Sequence, residues 1–533
     1  MKPTPGRDKG TGSSGDDLPL LAAVDSYAGP SRGTPPLRMH VPGHKGGRGA
    51  PPGLLARWGR GIFADDLTEV PGLDDLADPA GAIARSQEAT ARRLGAAWAH
   101  YLVQGTSGGL AALLLAVARS RGGTGCVVLP RHSHRAVAAA VMLAGLDPVF
   151  VPVRFDGGQA SGPDIGPLRA ALEDGRRASA GGQAPVAAVL DTYPSINGVA
   201  HDLAAVARAC HSQGVPLLVD GAHAGLFGLA AALPAHPLAL GADAVVISAH
   251  KTIGSLGQSS LLLVGNVCDA GGSASFAPEL PSALRLVQTT SPSYPLLLSL
   301  EAAVEHATSR AGRAAVRRAA ATGAAVCNAL GRLGVRCWEP PPDSGLQRDP
   351  MRLTIDAVRL GRDGFAMARA LRDEAGVQVE GADWRSVLVV FGPGDGPREG
   401  KRLLEAVAGL LRGRGIPRPA VEYDVTRTDR ISVLYRELLA EPAERAVPPR
   451  TAWLAGGEPV ALHDAAGRVA TEPLSPYPPG VPVVWPGEII SSGAVELVQE
   501  VLRMGGAVHG LVAACHDQDP RLVRVPVLRR AGG

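Results

Sequence analysis

Cysteine is scarce in this chain, and its few copies lie far apart. The 533 residues include six cysteines, and no two of them form a Cys-x-x-Cys pair. The six are Cys126, Cys210, Cys268, Cys327, Cys337 and Cys515. Scattered cysteines of this kind exclude a zinc ribbon and a disulfide framework, and they are typical of a protein from a reducing compartment.

Long apolar runs are also missing. The longest wholly apolar stretch, Leu110 to Ala118, is about half of what a helix needs to span a bilayer. The polar segment from Met1 to Pro19 lacks the apolar centre of a signal peptide. The sequence therefore predicts a cytoplasmic protein with no membrane partner.

Neither sign of charge is in large excess. Lysine and arginine number 53 against 50 for aspartate and glutamate, a formal net charge of +3, and no basic block occurs. Aromatic residues make up only 4% of the chain, so no basic stripe is interleaved with them. A nucleic acid is therefore not an expected partner. With 45% hydrophobic and 19% charged residues, the composition indicates a globular protein.

From Ile83 onward, helical patterns alternate with short apolar runs. The predicted helices include Ile83–Leu94, Leu110–Ser120 and Ala136–Leu143. The apolar runs are Cys126–Pro130, Pro148–Val153, Val186–Leu190, Val215–Asp220, Ala244–Ser248 and Ser260–Val264. Continuous apolar strands between helices predict an α/β fold with a mostly parallel central sheet covered on both faces. Ligands bind such sheets at the carboxyl ends of the strands.

Shifts in composition divide the chain into five segments. We expect a disordered tail at 1–18, an N-terminal arm at 19–63, a large α/β domain at 64–310, a smaller α+β domain at 311–415 and a C-terminal domain at 416–533. After Pro295 a long Ala/Arg-rich helical stretch should run to about Leu333. Two strand-like segments, Met351–Ile355 and Val387–Phe391, should flank a helix at Gly361–Gly376. A joint rich in proline and arginine lies near Arg412–Pro419.

Three polar motifs follow predicted strands or open predicted helices. Ser248-Ala-His-Lys251 ends one apolar run, where burial would lower the pKa of the lysine towards the free amine that a Schiff base needs. Asp220 ends another run, where a buried acid can hold the proton of a pyridinium ring. Gln104-Gly-Thr-Ser-Gly-Gly109 opens a helix, whose N-terminal N–H groups suit a phosphate. This order is typical of an enzyme that uses pyridoxal phosphate.

Each motif alone has a simpler structural interpretation. A lysine after a strand is usually a solvated loop residue, and an aspartate there usually caps a helix or forms a turn. A Gly-Thr-Ser-Gly stretch before a helix is often an ordinary N-cap. The order of the three motifs along the chain, rather than any one of them, favours the enzyme.

Longer motifs add a family resemblance. In chain order they are His40-Val-Pro-Gly-His-Lys45, Asp66-Leu-Thr-Glu69, Gly72-Leu-Asp-Asp-Leu76, Gly105-Thr-Ser107, Arg131-His-Ser-His134, Asp220-Gly-Ala-His223, Ser248-Ala-His-Lys251, Gln258-Ser-Ser260, Thr290-Ser-Pro-Ser-Tyr294, Pro476-Tyr-Pro-Pro-Gly-Val-Pro482 and Pro486-Gly-Glu488. In these motifs the chain resembles the Orn/Lys/Arg decarboxylases, of the short form without an N-terminal wing domain. The resemblance implies the fold-type-I, aspartate aminotransferase-like architecture, with the cofactor in the large domain and a decarboxylase domain at the C-terminus.

The resemblance implies a role for each matched residue. The catalytic residues would be Lys251, Asp220 and His223. Lys251 would hold pyridoxal 5′-phosphate covalently, Asp220 would bind its ring nitrogen, and His223 would assist proton transfer. His134 would stack on the ring, and Ala222 would pack under it. The phosphate would be held by Thr106, Ser107, Ser248 and His250.

The activity implied is the decarboxylation of lysine, ornithine or arginine to the corresponding amine and CO₂, as in polyamine biosynthesis. The resemblance also implies a homodimer or a higher homo-oligomer, because family active sites draw residues from both subunits. A cationic side chain stripped of water needs an acidic partner. The candidates are Asp65, Asp66, Glu69, Asp74, Asp75, Glu380 and Glu488. For any single one of them, a solvated or capping role is the alternative.

Other functions stay open at this point. The same lysine, aspartate and phosphate cradle serve aminotransferases and lyases, and an aminotransferase would add an arginine for the substrate carboxylate. Candidates for that arginine are Arg352, Arg359 and Arg385. A non-catalytic regulator of this fold would be signalled by loss of the lysine or the aspartate, and both are present.

Two smaller features complete the pattern. His40 and His44 have i, i+4 spacing, but the proline and glycine between them argue against a helix, so no metal is expected. Gly221 stands where many relatives have an acidic residue, and the pair Gly108-Gly109 is expected to loosen the phosphate turn. These departures bear on substrate preference more than on activity.

Overall fold

The structure of the chain is a computed structural model. It describes residues 18–28, 36–180, 185–266, 276–413, 425–441, 443–512 and 523–529. The tail expected at 1–18 lies outside the described residues except for Leu18. Cys268, Cys515, the side chain of Arg359 and the part of the expected joint beyond Gly413 also lie outside them.

Helices and strands alternate through the described residues. The helices are α1 (Pro19–Ala28), α2 (Pro52–Trp58), α3 (Gly61–Asp65), α4 (Ala82–Leu94), α5 (Gly105–Ser120), α6 (Arg135–Ala144), α7 (Ile165–Ala180), α8 (Leu203–His211), α9 (Ala249–Thr252), α10 (Leu280–Val287), α11 (Tyr294–Thr308), α12 (Arg310–Arg332), α13 (Gly364–Ala375), α14 (Pro397–Leu411), α15 (Val425–Ala440), α16 (Pro449–Ala455) and α17 (Ser492–Arg503). The strands are β1 (Trp98–Leu102), β2 (Cys126–Pro130), β3 (Asp147–Val151), β4 (Val153–Asp156), β5 (Gln159–Pro163), β6 (Val186–Thr192), β7 (Val199–Ala200), β8 (Leu217–Asp220), β9 (Ala244–Ile247), β10 (Ser260–Val264), β11 (Gln347–Arg348), β12 (Arg352–Asp356), β13 (Gly381–Ala382), β14 (Ser386–Val390), β15 (Glu458–Ala461), β16 (Ser475–Tyr477), β17 (Ala507–His509) and β18 (Arg524–Val527).

A seven-stranded sheet forms the centre of the large domain. Its strands lie in the order β1-β10-β9-β8-β6-β2-β3. The strands from β9 to β3 run parallel, and β10 is antiparallel to both of its neighbours. Successive residues of β2 pack into different hydrophobic cores. Val128 lies on one face of the sheet, and Val127 and Leu129 lie on the other. This burial on both faces explains the continuous apolar runs and confirms the predicted α/β class with a mostly parallel sheet.

Helix α5 packs closely against this sheet because it contains glycine at the contact. The helix begins at Gly105, earlier than the predicted start at Leu110. A Cβ atom on Gly109 would lie 2.5 Å from Leu102 Cδ1 and 2.7 Å from Val246 Cγ1. The glycine pair therefore does not loosen a turn; it lies inside the helix and brings the helix start close to the strands.

Two predicted elements are divided in the structure. The long helical stretch ending near Leu333 is two helices, α11 and α12, because Ser309 accepts a hydrogen bond from Gly312 N at 3.1 Å and caps the second one. The predicted strand Pro148–Val153 breaks at Pro152, so that β3 ends at Val151 and β4 begins at Val153. The proline has no N–H to continue the ladder.

The smaller sheets lie towards the C-terminal end of the chain. A three-stranded antiparallel sheet has the order β12-β14-β13 and packs against α13. Beyond it, β15 pairs with β18, β16 pairs with β17, and α15 lies beside α17. The C-terminal part contacts the large domain where Arg135 N donates a hydrogen bond to Gly480 O at 3.0 Å.

The N-terminal helix α1 is attached to the large domain by backbone hydrogen bonds. Leu20 N and Leu21 N donate to the two carboxylate oxygens of Glu301 in α11, at 2.9 and 2.8 Å. These two hydrogen bonds hold α1, the first described helix, against α11. Of the helices in the described ranges, none has the length and apolarity to cross a membrane.

Candidate active site

Three of the sequence motifs meet at one edge of the central sheet. Asp220 is the last residue of β8 and pairs with Val246 of the parallel strand β9. The chain continues from β9 through Ser248 into the short helix α9, which contains Lys251. Leu102, the last residue of β1, pairs with Ser260 of β10, so α5 also begins at this edge. The fold thus brings together residues that are far apart in the sequence.

Lys251 has an environment that favours the free amine. The residue is exposed to solvent, yet desolvation by the surrounding protein is the largest cause of its lowered pKa. The carboxylates of Asp220 and Glu380 oppose the shift, and the positive charge of Arg352 adds to it. The net direction is downward, as a lysine that forms a Schiff base requires.

Asp220 is almost fully buried beside the lysine. Burial raises the pKa of its carboxyl, whereas a hydrogen bond from Ala222 N to Oδ1 at 3.2 Å and the charge of Lys251 lower it. The same backbone contact places Ala222 next to the carboxylate. A buried carboxyl of this kind can share a proton with a ring nitrogen.

Gly221, between these two residues, has a steric reason to lack a side chain. A Cβ atom at this position would lie 2.4 Å from Val245 Cγ2. The acidic residue that many relatives carry there therefore has no room unless Val245 moves. The departure from the family pattern follows from the packing of the loop against β9.

Hydroxyl groups from two elements converge at the start of α5. Thr106 Oγ1 and Ser248 Oγ lie 3.2 Å apart, and Ser107 is exposed in the same first turn. The N-terminal N–H groups of the helix add positive potential at this point. His250 Nδ1 donates a hydrogen bond to Ser259 O at 2.9 Å, which fixes the orientation of its ring. Hydroxyl groups at a helix N-terminus can bind a phosphate by hydrogen bonds.

His134 lies between the lysine and the C-terminal domain. Its Nδ1 accepts a hydrogen bond from Ala136 N at 3.2 Å and caps α6. A Cβ atom on Gly480 would lie 3.1 Å from His134 Nε2, so a glycine is needed where that turn passes the ring. Burial, followed by the charge of Lys251, lowers the pKa of His134 to about 4. The neutral aromatic ring suits the expected stacking role.

His223 has a partner whose role the sequence analysis missed. Arg352 Nη2 lies 2.8 Å from His223 Nδ1, and both side chains are buried. Burial is the first cause, and the charge of Arg352 the second, of a pKa of His223 well below the ordinary value. From the sequence, Arg352 is a candidate only for the carboxylate anchor of an aminotransferase. No local pattern in the sequence signals the pairing, because it joins two domains.

Glu380 is the acidic candidate that acts on the lysine. It raises the pKa of both Lys251 and Arg352, and its own side chain is exposed. Gly381, the next residue, packs under the C-terminal domain: a Cβ atom there would lie 2.6 Å from Pro478 Cγ. Glu380 therefore borders the region of Lys251 with a free carboxylate.

Two other acidic candidates have their carboxylates engaged within the chain. Asp74 accepts hydrogen bonds from Gly81 N at 2.8 Å and Ile83 N at 2.9 Å, at the start of α4. Glu488 is 1% exposed and forms an ion pair with Arg131. Neither presents a free carboxylate to a substrate.

The remaining acidic candidates have contacts near the arm. Asp75 accepts a hydrogen bond from Ala77 N at 2.8 Å, and Thr68 donates to Glu69 at 2.5 Å. Asp66 pairs with His44 at 3.0 Å. Burial, followed by a nearby acidic group, raises the pKa of Asp65. These residues lie on α3 and on the segment between α3 and α4.

The histidines of the arm bind protein groups. His40 Nε2 lies 2.7 Å from Tyr27 Oη, and His44 pairs with a carboxylate. Within the described ranges, no group of three or more histidine, cysteine or acidic side chains is placed to hold a metal ion.

The side chains at the sheet edge fit the expected cofactor. A lysine with a lowered pKa, a buried acid with a raised pKa and a pair of hydroxyls at a helix N-terminus match an aldehyde, a pyridine nitrogen and a phosphate. The residues that would hold pyridoxal phosphate are therefore Lys251, Asp220, Thr106, Ser248 and His134.

Family comparison gives the same assignment over most of the chain. The family model "Orn/Lys/Arg decarboxylase, major domain" matches residues 19–342, more than half of the chain, and that of the C-terminal domain matches residues 434–508. The chain belongs to the Orn/Lys/Arg decarboxylase family. It is an amino-acid decarboxylase, and its cofactor is pyridoxal 5′-phosphate.

Relatives of this decarboxylase match it over most of its length. "Arginine decarboxylase" of Bacillus subtilis (strain 168) is 31% identical over 500 residues, which cover 93% of this chain and 95% of the relative. "Arginine decarboxylase" of Halalkalibacterium halodurans is 30% identical over 501 residues, with 93% and 95% covered. "Constitutive lysine decarboxylase" of Escherichia coli (strain K12) is 24% identical over 583 residues, with 92% and 79% covered.

Solved structures confirm the expected fold type. "Lysine decarboxylase A from Pseudomonas aeruginosa" superposes on the decarboxylase with a TM-score of 0.80 at 18% identity, covering 97% of this chain and 81% of that chain. The E. coli constitutive lysine decarboxylase gives a TM-score of 0.77 at 20% identity, with 96% and 82% covered. The fold-type-I architecture expected from the motifs is therefore confirmed.

Proposed function

We propose that this decarboxylase acts on a basic amino acid, with arginine as the first substrate to test, and releases CO₂ and the corresponding amine. The observation that carries the proposal is that two carboxylates, the buried one of Asp220 and the exposed one of Glu380, both act electrostatically on Lys251. The carboxylate of Asp220 would bind the cofactor, so that of Glu380 is available for the cationic end of a substrate. The names of the arginine decarboxylases that match at about 30% identity support arginine.

Residues of the chain hold the reacting groups in place. Pyridoxal phosphate, when bound, supplies an electron sink for the electrons left on Cα as CO₂ departs. Asp220 keeps the proton on the ring nitrogen, because a buried carboxylate is stabilised by a cation. Lys251, with its lowered pKa, would hold the cofactor and could return a proton to Cα of the substrate. Thr106 and Ser248 would hold the phosphate, and with it the orientation of the ring.

Glu380 is proposed to bind the substrate side chain. A guanidinium or ammonium group that leaves water needs a carboxylate partner. Glu380 is exposed and already acts electrostatically on the lysine that carries the chemistry. Glu69 and Asp75, on the segment between α3 and α4, are second candidates, since a neighbouring subunit that contributes this segment to the site would bring them there. Asp74 and Glu488 are not proposed, because both are engaged within the chain.

We also propose a homodimer in the cytoplasm whose amine product serves polyamine synthesis. Large apolar side chains of the arm are exposed, among them Leu37 at 69%, Met39 at 81% and Val41 at 64%. A second copy of the chain would bury them. Cys126, Cys210 and Cys327 are buried, and no disulfide joins cysteines of the described residues, as in proteins from a reducing compartment.

The decisive experiment is CO₂ release by the purified protein with added pyridoxal phosphate. Arginine, lysine and ornithine are offered separately, beside Lys251→Ala and the matched control Lys401→Ala, which changes an exposed lysine of α14. We expect release with one basic amino acid, lost in Lys251→Ala and retained in Lys401→Ala. A protein that binds the cofactor but releases no CO₂ from any of the three would overturn the proposed substrate class.

The two candidate arginines whose side chains are described do not support the aminotransferase alternative, because both are engaged with other side chains. Arg352 is bonded to His223, and Arg385 forms ion pairs with Asp429 at 2.9 Å and Asp356 at 3.6 Å. A non-catalytic regulator would not need the lysine and the aspartate that the fold brings together. We therefore propose the decarboxylase alone.

A further inference from the structure

We propose that Arg352 is a positioning residue that fixes His223 as a neutral imidazole with its hydrogen on Nε2, and that Lys251 rather than His223 returns the proton to Cα. The second part rests on the proposed function. The first part concerns only groups of the chain, and it holds or fails without any activity. It changes the expectation drawn from the sequence, in which His223 assists proton transfer.

The tautomer of His223 follows from the chemistry of its partner. Arg352 Nη2 lies 2.8 Å from His223 Nδ1. A guanidinium has only donors and keeps its protons at any physiological pH. Nδ1 must therefore accept the hydrogen bond, and the single hydrogen of the neutral ring lies on Nε2. A second proton has no place on Nδ1 while Arg352 occupies it.

Arg352 is itself held rigidly. It is 2% exposed, and its Nε donates a hydrogen bond to Ile196 O at 2.9 Å. Its backbone N donates to Asp349 O at 3.0 Å. Gly198, with φ of +79°, lies against its side chain: a Cβ atom there would lie 3.0 Å from Arg352 Cβ and 3.1 Å from Cδ. The turn from Ser195 to Gly198 therefore forms a close-fitting channel for the arginine, and only glycine leaves room for it.

The charges around His223 act in the same direction. The groups that face it are Arg352, Lys251, His134 and His250, and each disfavours a positive charge on its ring. Arg352 is balanced by the nearby carboxylates of Asp349 and Glu380. The site thus keeps one fixed cation, Arg352, and leaves His223 neutral. A neutral ring that cannot gain a proton on Nδ1 is a hydrogen-bond donor and not a base.

This arrangement suits decarboxylation better than binding of the substrate carboxylate by Arg352. The carboxylate is charged before the reaction, whereas CO₂ is neutral, so a cation bound to the carboxylate would stabilise the ground state more than the transition state. Because Arg352 bonds His223 instead of the substrate carboxylate, it does not stabilise the ground state in this way. Lys251 is then the nearby group with a lowered pKa that can deliver a proton.

Histidine NMR of the full chain without added cofactor tests the tautomer directly. With ¹⁵N-labelled histidine, the His223 signals are identified by their loss in His223→Gln. We expect the pattern of a ring with hydrogen on Nε2 and no titration between pH 8 and pH 5. In Arg352→Met the ring should lose the fixed tautomer. In the control Arg385→Met, which removes an arginine paired with Asp429, His223 should remain unchanged.

A second variant separates loss of the arginine's position from loss of its charge. Gly198→Ala keeps Arg352 but removes the room for its side chain, and it should give the same NMR change as Arg352→Met. A wild-type His223 that carries hydrogen on Nδ1, or that titrates near the ordinary histidine value, overturns the proposal. Thermal unfolding of each variant shows whether the fold is retained, and Arg352→Lys keeps a donor if Arg352→Met does not fold.

Kinetics of the loaded enzyme test the catalytic part. Loss of one hydrogen bond to a charged group should lower kcat roughly 10- to 100-fold in Arg352→Met, with KM little changed and partial recovery in Arg352→Lys. His223→Gln should remove most of the effect of Arg352→Met in the double variant. A rise in KM with kcat unchanged would instead make Arg352 a carboxylate anchor. If the wild type releases no CO₂ while the NMR result holds, the proposed function fails and the positioning role stands.

Discussion

Arg131 and Glu488 form a bidentate ion pair that is closed off from solvent between the large domain and the C-terminal domain. Each side chain is 1% exposed, and Arg131 Nη2 lies 2.6 Å from Glu488 Oε2, with Nη1 bonded to Oε1. Trp485 N donates to the same carboxylate at 2.7 Å, and Arg131 also donates to Val483 O at 3.2 Å. The pair joins a motif that follows β2 to the Pro-Gly-Glu motif near the end of the chain.

Replacing this acid should cost stability rather than change substrate choice. In Glu488→Ala a buried guanidinium loses its counter-charge, so we expect the free energy of unfolding to fall by about 3–5 kcal/mol. Chemical denaturation measures the change. Glu496→Ala is the control. Its partner Arg430 is exposed, so loss of this ion pair should change the free energy of unfolding very little. A Glu488→Ala protein of wild-type stability with a raised KM would show that Glu488 binds substrate.

Replacing Glu380 should change substrate binding rather than stability. Glu380→Gln removes a charge from an exposed side chain, so stability should hold, while KM for a cationic substrate should rise roughly 3- to 10-fold. Because Glu380 raises the pKa of Lys251, the pH profile of kcat should also move to lower pH. Steady-state kinetics across pH check both effects. The control is Glu374→Gln, an exposed acid of α13; equal behaviour of the two variants would exclude Glu380 from the site.

Stability should fall in acid because of a buried histidine next to the site. His132 is 5% exposed, and its two ring nitrogens have no hydrogen-bond partner among the described residues. Burial lowers its pKa from 6.5 to about 4, with Asp191 opposing and His201 adding to the shift. The unfolded chain therefore binds the proton first as pH falls. The free energy of unfolding should drop between pH 6.5 and 4, by up to about 1.4 kcal/mol per pH unit for this group.

Denaturation of the wild type and of His132→Gln at several pH values measures that contribution. The variant should show a shallower decline below pH 6.5, whereas His463→Gln, which changes an exposed histidine, should follow the wild type. Parallel curves for wild type and His132→Gln would mean that His132 does not titrate differently in the folded and unfolded chains.

The loop after Asp220 should not tolerate a side chain at its glycine. Gly221→Ala would bring a Cβ atom within 2.4 Å of Val245 Cγ2, and we expect a loss of about 1–3 kcal/mol in the free energy of unfolding. Val245→Ala removes the obstacle, so the double variant should lose less than the sum of the two single changes. Strict additivity in thermal and chemical unfolding would show that the two groups do not touch.

The sequence by itself determined the class of fold and the centre of the site. Continuous apolar runs predict a sheet buried on both faces, and the ends of those runs place Asp220 and Lys251 at one edge. The distant motifs implied the family, which the comparison confirms. These features depend on neighbouring residues or on the strand order of a parallel sheet, so they can be predicted from the sequence.

Only the tertiary structure decided which polar groups already have partners. Asp74 caps α4, and Glu488 is closed off by Arg131, although both looked like free acids in the sequence. Arg352 meets His223 across a domain boundary, where no spacing or periodicity could indicate it. Contacts between residues far apart in the chain depend on packing and charge in three dimensions, which composition and periodicity do not encode.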